Sequence, residues 1–599
     1  LKSLILLWKM IADDYAIRCC TSTTLDWKTV QGRYKHEGLS FLTIALPNFG
    51  KDTQKCLDQG LVDRDMFQGF SWHAGLPRFL GGFLDLVFDR NTGVLLPDPN
   101  VDAILAIRQL TLIYSKMLIP CSDARDKAAM KEYVQCDQEV AKNDALMDST
   151  DYGEFKRMSD LLFRDFFIGL DRKINALELV PKHGPGATAD RLRGNAKYDN
   201  RTWTDRLERY FPSGDYLYPN ARYIEHYSDV DHLEPGSEIP VKVITVPKTQ
   251  KTPRIIAVEP TCMQYAQQAV LDAINAGISE GYLRDFISTE SQEPNQLMAQ
   301  RGSRDGSLAT LDLSEASDRV SNQLIRCLLS TNPELLGAVE ACRSRKAEVP
   351  GHGTIRLSKF ASMGSALCFP FEAMVFLTLV FLGIEESLNT QFTSKSDLIR
   401  YAGLVRVYGD DIIVPTDSVH SAVHSLEHFG ARVGKAKSFW IGKFRESCGK
   451  EYYDGTDVSV VKCRRVFPSA RKHAPEVISL VSLRNQLYKA GCWGTAKWLD
   501  QKLEGILYWY PHVSDSSSVL GRTSFLGYET EKMCKNLHSP LVKGWVVSSR
   551  LPSDILDGPG ALLKCLLKRG SEPVADSKHL ERAGRPRRVD IKPRWASPF

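Results

Sequence analysis

Val405-Arg406-Val407-Tyr408-Gly409-Asp410-Asp411-Ile412-Ile413-Val414 is the stretch on which the reading of this chain turns. Two β-branched runs flank a Gly-Asp pair, which predicts a tight β-hairpin, because glycine supplies the positive φ that a two-residue turn demands. Such a hairpin sets two adjacent carboxylates, Asp410 and Asp411, at the rim of an otherwise apolar sheet. Burying that pair costs several kcal/mol unless a cation compensates it. Oxygen ligands with no neighbouring His or Cys suit a hard ion, Mg²⁺ or Mn²⁺, rather than zinc. A solvated Gly-Asp-Asp turn competes with this reading, so the neighbouring segments decide.

A third carboxylate comes from Leu308-Ala309-Thr310-Leu311-Asp312-Leu313, which predicts a buried strand ending in Asp312. Asp312 or Ser314 is expected to cap a following helix, whose apolar positions Val320, Leu324, Cys327 and Leu328 fall at helical spacing, with Asp318 at its entry. Further upstream, residues 241–246 and 255–258 predict two strands joined by Pro247-Lys248-Thr249-Gln250-Lys251-Thr252-Pro253-Arg254. Lys248, Lys251 and Arg254 lie on this loop between two prolines. Most basic runs are merely solvated; the functional form is a rigid cationic arch around a triphosphate, where Arg gives forked contacts and Lys a point charge. Ala361-Ser362-Met363-Gly364-Ser365-Ala366 opens an apolar helix containing Glu372, Phe376 and Leu379. Its small residues suit close helix packing or a backbone that approaches a ligand. The Gly-rich residues 182–188 lack the spacing of a phosphate-binding loop and read as a turn.

With 599 residues the chain has room for three or four domain-sized units, and 43% hydrophobic with 25% charged residues marks an ordinary globular composition. Net charge is only +5, while residues 564–599 alone carry ten basic and four acidic side chains. Any site for a polyanion in the body is therefore a local groove. Fourteen cysteines without a C-x-x-C pattern suggest free, mostly buried thiols in a reducing compartment. The longest apolar stretch, residues 373–384, is too short to span a bilayer and reads as a buried helix. The first helix reads as amphipathic, since Lys9 and Asp13-Asp14 interrupt any resemblance to a signal peptide. After a basic connector (Lys462, Arg464, Arg465, Arg471, Lys472), residues 475–490 carry helix start and stop signals, closed by Gly491.

Taken in order, these segments resemble the RNA-dependent RNA polymerases of small positive-strand RNA phages, the levivirus replicase β subunits, best from about residue 241 to 490. The most specific pieces are Val246-Pro247-Lys248 through Arg254, Gly306-Ser307-Leu308 through Asp318, Tyr408 to Asp411, and Phe444-Arg445-Glu446-Ser447-Cys448-Gly449. The resemblance implies an α+β right-hand fold of fingers, a palm with an antiparallel sheet, and a thumb, with a largely helical N-terminal region. On this chain it implies residues 1–235 as N-terminal region and part of the fingers, 236–300 as fingers with the cationic NTP loop, and 301–460 as catalytic palm with a finger-side insertion at 343–358. Residues 461–530 would be the thumb and 531–599 a C-terminal region with a basic tail. Template-directed RNA synthesis in the bacterial host cytoplasm follows as the expected activity. Template and product RNA and NTPs would be its ligands, two Mg²⁺ ions its cofactor with Mn²⁺ as substitute, and host elongation factors Tu and Ts and a ribosomal protein its partners, with no membrane.

Within that expectation Asp312 and Asp410, on neighbouring strands, hold two metals about 3.5–4 Å apart, which activate the growing strand's 3′-hydroxyl and neutralise the leaving pyrophosphate. Asp411 completes or orients the cage. Lys248, Lys251 and Arg254 hold the incoming phosphates, whose transition-state charge needs positioned cations more than covalent chemistry. Asp318 with Ser362, Gly364 and Ser365 reads the ribose 2′-hydroxyl. Lys437 is the proton donor to pyrophosphate, by family position. One departure stands out: where the family usually reads Met-Gly-Asn-Gly, this chain has Met363-Gly364-Ser365-Ala366, and Cys368 replaces a usual Thr. Ser365 reaches less far than Asn. Two other readings share these features. A reverse transcriptase commonly has a larger residue at the position of Gly409, and a catalytically silent polymerase-fold scaffold has no reason to keep paired buried charges. Arg585-Pro586-Arg587-Arg588 is too charged to pack as a core, so the tail is expected to be mobile and to add non-specific RNA affinity by counterion release.

Overall fold

The computed structural model describes residues 2–184, 186–549, 555–569 and 589–599. Its N-terminal region is built from helices α1 (Lys2–Arg18), α2 (Leu46–Gln59), α3 (Val101–Leu112), α4 (Asp123–Leu146) and α5 (Ser149–Asn175). Asn100 caps α3 through its side chain, and Asp148 with Asp151 closes a capping box on α5, so orphan N–H groups are satisfied at both starts.

Two sheets follow. Strands β1 (Val241–Val246) and β2 (Arg254–Val258) pair antiparallel across the proline-braced loop, near the predicted bounds. Helix α6 (Thr261–Glu280) then leads towards β3 (Leu308–Asp312). The hairpin of β4 (Lys346–Val349) and β5 (Gly353–Arg356) adds to the first sheet, with β4 parallel to β1, so residues 343–358 sit beside the cationic loop's own strands. Helix α7 (Cys368–Leu388) runs to the central hairpin of β6 (Arg406–Tyr408) and β7 (Asp411–Pro415). Order in this second sheet is β6–β7–β3, all antiparallel, and Asp411 is the register partner of Asp312. A further hairpin, β8 (Phe444–Ser447) with β9 (Lys450–Tyr453), lies against β3. There the fully buried Arg445 guanidinium donates to the carbonyl of Leu308 at 2.6 Å. The α+β class is as expected.

The large apolar core joins α5, α6, α7 and the β6–β7–β3 sheet. A second core unites α1, α2 and α3 with helices α8 (Ala474–Lys489) and α9 (Trp493–Leu507). The N-terminal helices are thus tied to each other and to α9: Trp8 donates its indole N–H to the Leu110 carbonyl, and Asp14 accepts from the backbone N–H groups of Gly494 and Thr495 that open α9.

Three expectations change. The chain after β3 is not one helix. A single turn, Ala316–Arg319, ends at an extended Val320, and a new helix starts at Asn322 with Ser321 as its cap. The cause is pairing with residues 358–360, since Phe360 and Asn322 donate backbone bonds to Val320 and Ser358. Neither Asp312 nor Ser314 is spent as a cap, which leaves Asp312 free for other work. Next, the apolar run 373–384 is part of the 21-residue α7, long and apolar enough to cross a membrane, but 89% of its most apolar window is buried inside the protein. Last, the extreme C-terminus is docked: β11 (Val589–Ala596) pairs antiparallel with β10 (Pro540–Ser549) over the whole strand. A ladder that long outweighs the exposed charges of Lys592 and Arg594. Arg585–Arg588, on which the mobile-tail expectation chiefly rested, lies outside the described residues, as does Pro185.

Candidate active site

A cavity of about 890 Å³ opens where the two sheets face each other. Its floor is the β3 end and the central hairpin. Gly409 takes φ +59° and is the first residue of a two-residue turn, with Tyr408 and Asp411 closing the pair. Any side chain at 409 would collide, since a Cβ there would lie 2.3 Å from the Phe369 ring and 3.0 Å from Oε1 of Glu372. Gly409 is thus fixed both by backbone conformation and by space.

Of the residues singled out in sequence, Lys248, Arg254, Asp312, Asp318, Asp410 and Lys437 line this cavity together. The Asp410 carboxyl is held above its ordinary range, first by desolvation and then by the negative charge of Asp312. Lys437 donates from Nζ to Oδ1 of Asp312 at 2.8 Å. Burial would lower this ammonium's pKa, but the charge and hydrogen bond of Asp312 outweigh it and raise it. Lys248 is pushed down by burial, then by Arg254 and Lys437. The site therefore holds crowded cations facing crowded carboxylates, each group raising its like neighbours' cost until a ligand of opposite charge arrives.

Asp411 is placed differently from expectation. Its carboxylate turns to the β8–β9 turn, where it accepts from the backbone N–H of Cys448, and it does not line the cavity. Burial first and Asp410 second push it up to about 6. Lys251 lies at the exposed loop tip rather than on the cavity wall. Of the small-residue loop only Met363 lines the cavity. Gly364 (φ +135°) packs so closely on β2 that a Cβ would sit 2.0 Å from the Ala257 carbonyl oxygen. Ser365 donates instead to Gln267 on α6, at 3.1 Å. Ser362 is buried behind the wall and donates to Oδ1 of Asp318 at 2.8 Å. Ser365, half-buried, thus spends its hydroxyl on α6 rather than on the cavity.

Several lining residues carried no sequence signal. Lys51 reaches in from α2, its pKa lowered by burial and then by Lys251 and Lys437. Tyr133 and Glu139 come from α4. Glu139 pairs with Arg319 at 2.7 Å and Arg432 at 3.1 Å, closing one rim. Glu372 is a buried carboxyl pushed far up by desolvation and then by Asp410. A lone lysine or tyrosine on an amphipathic helix is indistinguishable in sequence from any solvated or packed one. The N-terminal region also grips the cationic loop, since Thr43 contacts Gln250, and Arg125 donates to the Gln250 carbonyl at 2.6 Å.

Among the described residues no group of three or more His, Cys, Asp or Glu forms a ready metal cage. The donor set is an open pair of carboxylates, Asp312 and Asp410, whose mutual repulsion a cation would relieve. That suits Mg²⁺, which keeps several waters and takes one or two carboxylates plus substrate phosphates.

Residues 236–497 match the family model described as RNA replicase, beta-chain. The RNA-directed RNA polymerase subunit beta of Qbeta virus (strain MX1) is 35% identical over 257 residues, covering 42% of this chain and 39% of that protein. For the RNA-directed RNA polymerase beta chain of Enterobacteria phage fr the identity is 37% over 221 residues, and for that of Escherichia phage MS2 it is 37% over 218, each covering 36% of both chains. The matched part spans well under half the length of these relatives. A solved structure, the BmCPV RNA-dependent RNA polymerase at elongation state, aligns with TM-score 0.37 and 12% identity over 60% of this chain and 34% of its own.

Proposed function

We infer that this chain, whose residues 236–497 match the RNA replicase β-chain model, is an RNA-directed RNA polymerase of that family, which copies a positive-strand RNA phage genome in the cytoplasm of a bacterial host. One observation carries the reading: the carboxylates of Asp312 at the end of β3 and Asp410 in the β6–β7 turn, with cations from three separate elements, line a single cavity large enough for a nucleoside triphosphate. Lys248 and Arg254, joined by Lys51, bind the incoming triphosphate, and Arg254 supplies forked contacts that a lysine lacks. Asp312 and Asp410 would hold the divalent ions, two Mg²⁺ with Mn²⁺ as substitute. When bound, these supply Lewis acidity at the 3′-hydroxyl and neutralise the departing pyrophosphate. Asp411 orients the hairpin through Cys448 rather than entering the cavity. Lys437 keeps its proton at neutral pH because Asp312 stabilises the ammonium, and it releases that proton to the leaving group. Asp318 accepts a hydrogen bond from the ribose 2′-hydroxyl.

Space at Gly409 favours this reading over a reverse transcriptase, because Phe369 and Glu372 are packed against a glycine and leave no room for a side chain. A silent scaffold gains nothing from crowded like charges in a cavity. Host elongation factors and a ribosomal protein are proposed partners by resemblance to the family alone. The test is primer extension on an RNA template with all four NTPs and Mg²⁺. Template-dependent incorporation of NTPs in preference to dNTPs supports the assignment, preference for dNTPs supports the reverse transcriptase, and RNA binding without incorporation supports the scaffold.

A further inference from the structure

Behind Asp318 lies a network that no step above uses. Lys359 has a fully buried side chain, and its Nζ donates to Oδ1 of Asp318 at 3.0 Å. The same Oδ1 accepts from Ser362 Oγ at 2.8 Å. Ser362 has one proton and gives it to Asp318, so the Tyr133 hydroxyl, 3.0 Å away, must donate to Ser362. Tyr133 also offers its ring face to Lys359, with Nζ 3.6 Å from the centroid. The backbone under Lys359 is pinned by Asp137 of α4, which accepts from the N–H groups of Ser358 and Lys359 at 3.0 Å.

A fully buried ammonium is costly and is tolerated only with close partners. Here the partners outweigh burial: desolvation pulls the Lys359 pKa down, while Asp318 and then Tyr133 hold it up, so the side chain stays charged. Both internal donors converge on one oxygen of Asp318. Among the described residues Oδ2 accepts no hydrogen bond, and Asp318 lines the cavity. Ser365 cannot share the task, being bonded to Gln267.

We propose that Lys359 and Tyr133 are positioning residues for sugar selection: by occupying Oδ1, directly and through Ser362, they fix the Asp318 carboxylate so that Oδ2 alone is presented to the nucleotide's 2′-hydroxyl. The inference rests on the polymerase reading and deepens it. It also makes α4, outside the segment matched by the family model, part of the specificity apparatus.

The experiment compares kcat/KM for CTP and dCTP on one primed RNA template, using the full chain, with Lys359→Met and Tyr133→Phe. A site built to hydrogen-bond a hydroxyl discriminates strongly against the analogue that lacks it. Loosening its acceptor should therefore cost CTP and spare dCTP. The expected result is a CTP/dCTP ratio lowered about tenfold or more in Lys359→Met and about threefold in Tyr133→Phe, through a higher KM for CTP. A general loosening of the fold would lower both nucleotides in parallel, and an unchanged ratio in Tyr133→Phe, which conserves volume and keeps the ring under Lys359, overturns the proposal even if Lys359→Met fails to fold. Wild-type protein that incorporates neither nucleotide would remove the polymerase reading, and this inference with it.

Discussion

Lys437 and Asp312 form the one direct cation–carboxylate contact across the cavity floor seen among the described residues, with Nζ 2.8 Å from Oδ1. The pair leaves Asp410 as the carboxylate without a hydrogen-bonded cation, and it sets the ammonium among the charged groups that would meet pyrophosphate. Replacing Lys437 by Met removes the proton donor while keeping length. Incorporation should slow by about 10²–10⁴-fold, the usual range for a general acid, with KM for NTP changed far less. Rapid-quench single-turnover kinetics would read this. A loss confined to KM would make Lys437 a binding cation only.

Arg254→Lys keeps the charge and loses the planar fork. A charge-assisted hydrogen bond contributes about 1.5–3 kcal/mol, so kcat/KM should fall about tenfold or more. Because phosphates are common to all four substrates, the loss should be equal for each. Lys51→Met should lower the same quantity, although the residue lies in α2, far from the loop in sequence. Steady-state kinetics with each NTP separately is the check; an effect on one base alone would exclude phosphate contact.

Glu259, buried between Ser344 and Gln267, has its carboxyl pushed up to about 7, first by burial. The folded state then holds a proton that the unfolded chain, with an ordinary value of 4.5, releases. Its stabilising effect is complete below about 4.5 and is lost as pH rises through 7, at up to about 1.4 kcal/mol per pH unit. Glu259→Gln should flatten the dependence of the melting temperature on pH across that window.

The C-terminus separates into two experiments. Deleting residues 589–599 removes the β10–β11 ladder and bares the apolar surface around Ile591, so the melting temperature should fall by several degrees. Substituting Arg585, Arg587 and Arg588 by Ser should leave that temperature unchanged and flatten the salt dependence of RNA binding, by about 0.7 in log–log slope for each phosphate no longer neutralised. An unchanged salt slope would leave the basic run without an RNA role.

What could be read from sequence was what local pattern encodes. Short apolar runs and the Gly-Asp turn located β1, β3 and the β6–β7 hairpin, and hence brought Asp312 to the hairpin that carries Asp410 and Asp411. Three things were hidden. Side-chain direction was one: Asp411 sits in register with Asp312 yet turns to Cys448, because the β8–β9 turn offers it an N–H. Long-range pairing was another, since residues 358–360 break the helix after β3 and no local signal reports a partner so distant in sequence. The third was the wall of the cavity, where Lys51 and Tyr133 arrive from amphipathic helices that look like any others.

The most direct test of the central claim is template-primed NTP incorporation by wild-type and Asp410→Asn protein side by side, with circular dichroism melts on the same samples. Asn removes a ligand charge with almost no change in volume, and it relieves the repulsion with Asp312 that raises the Asp410 pKa. The account predicts a loss of at least about a thousandfold in incorporation, on the scale of several kcal/mol of transition-state charge stabilisation, with a melting temperature equal to or above wild type in metal-free buffer. Near-normal turnover by Asp410→Asn would contradict it.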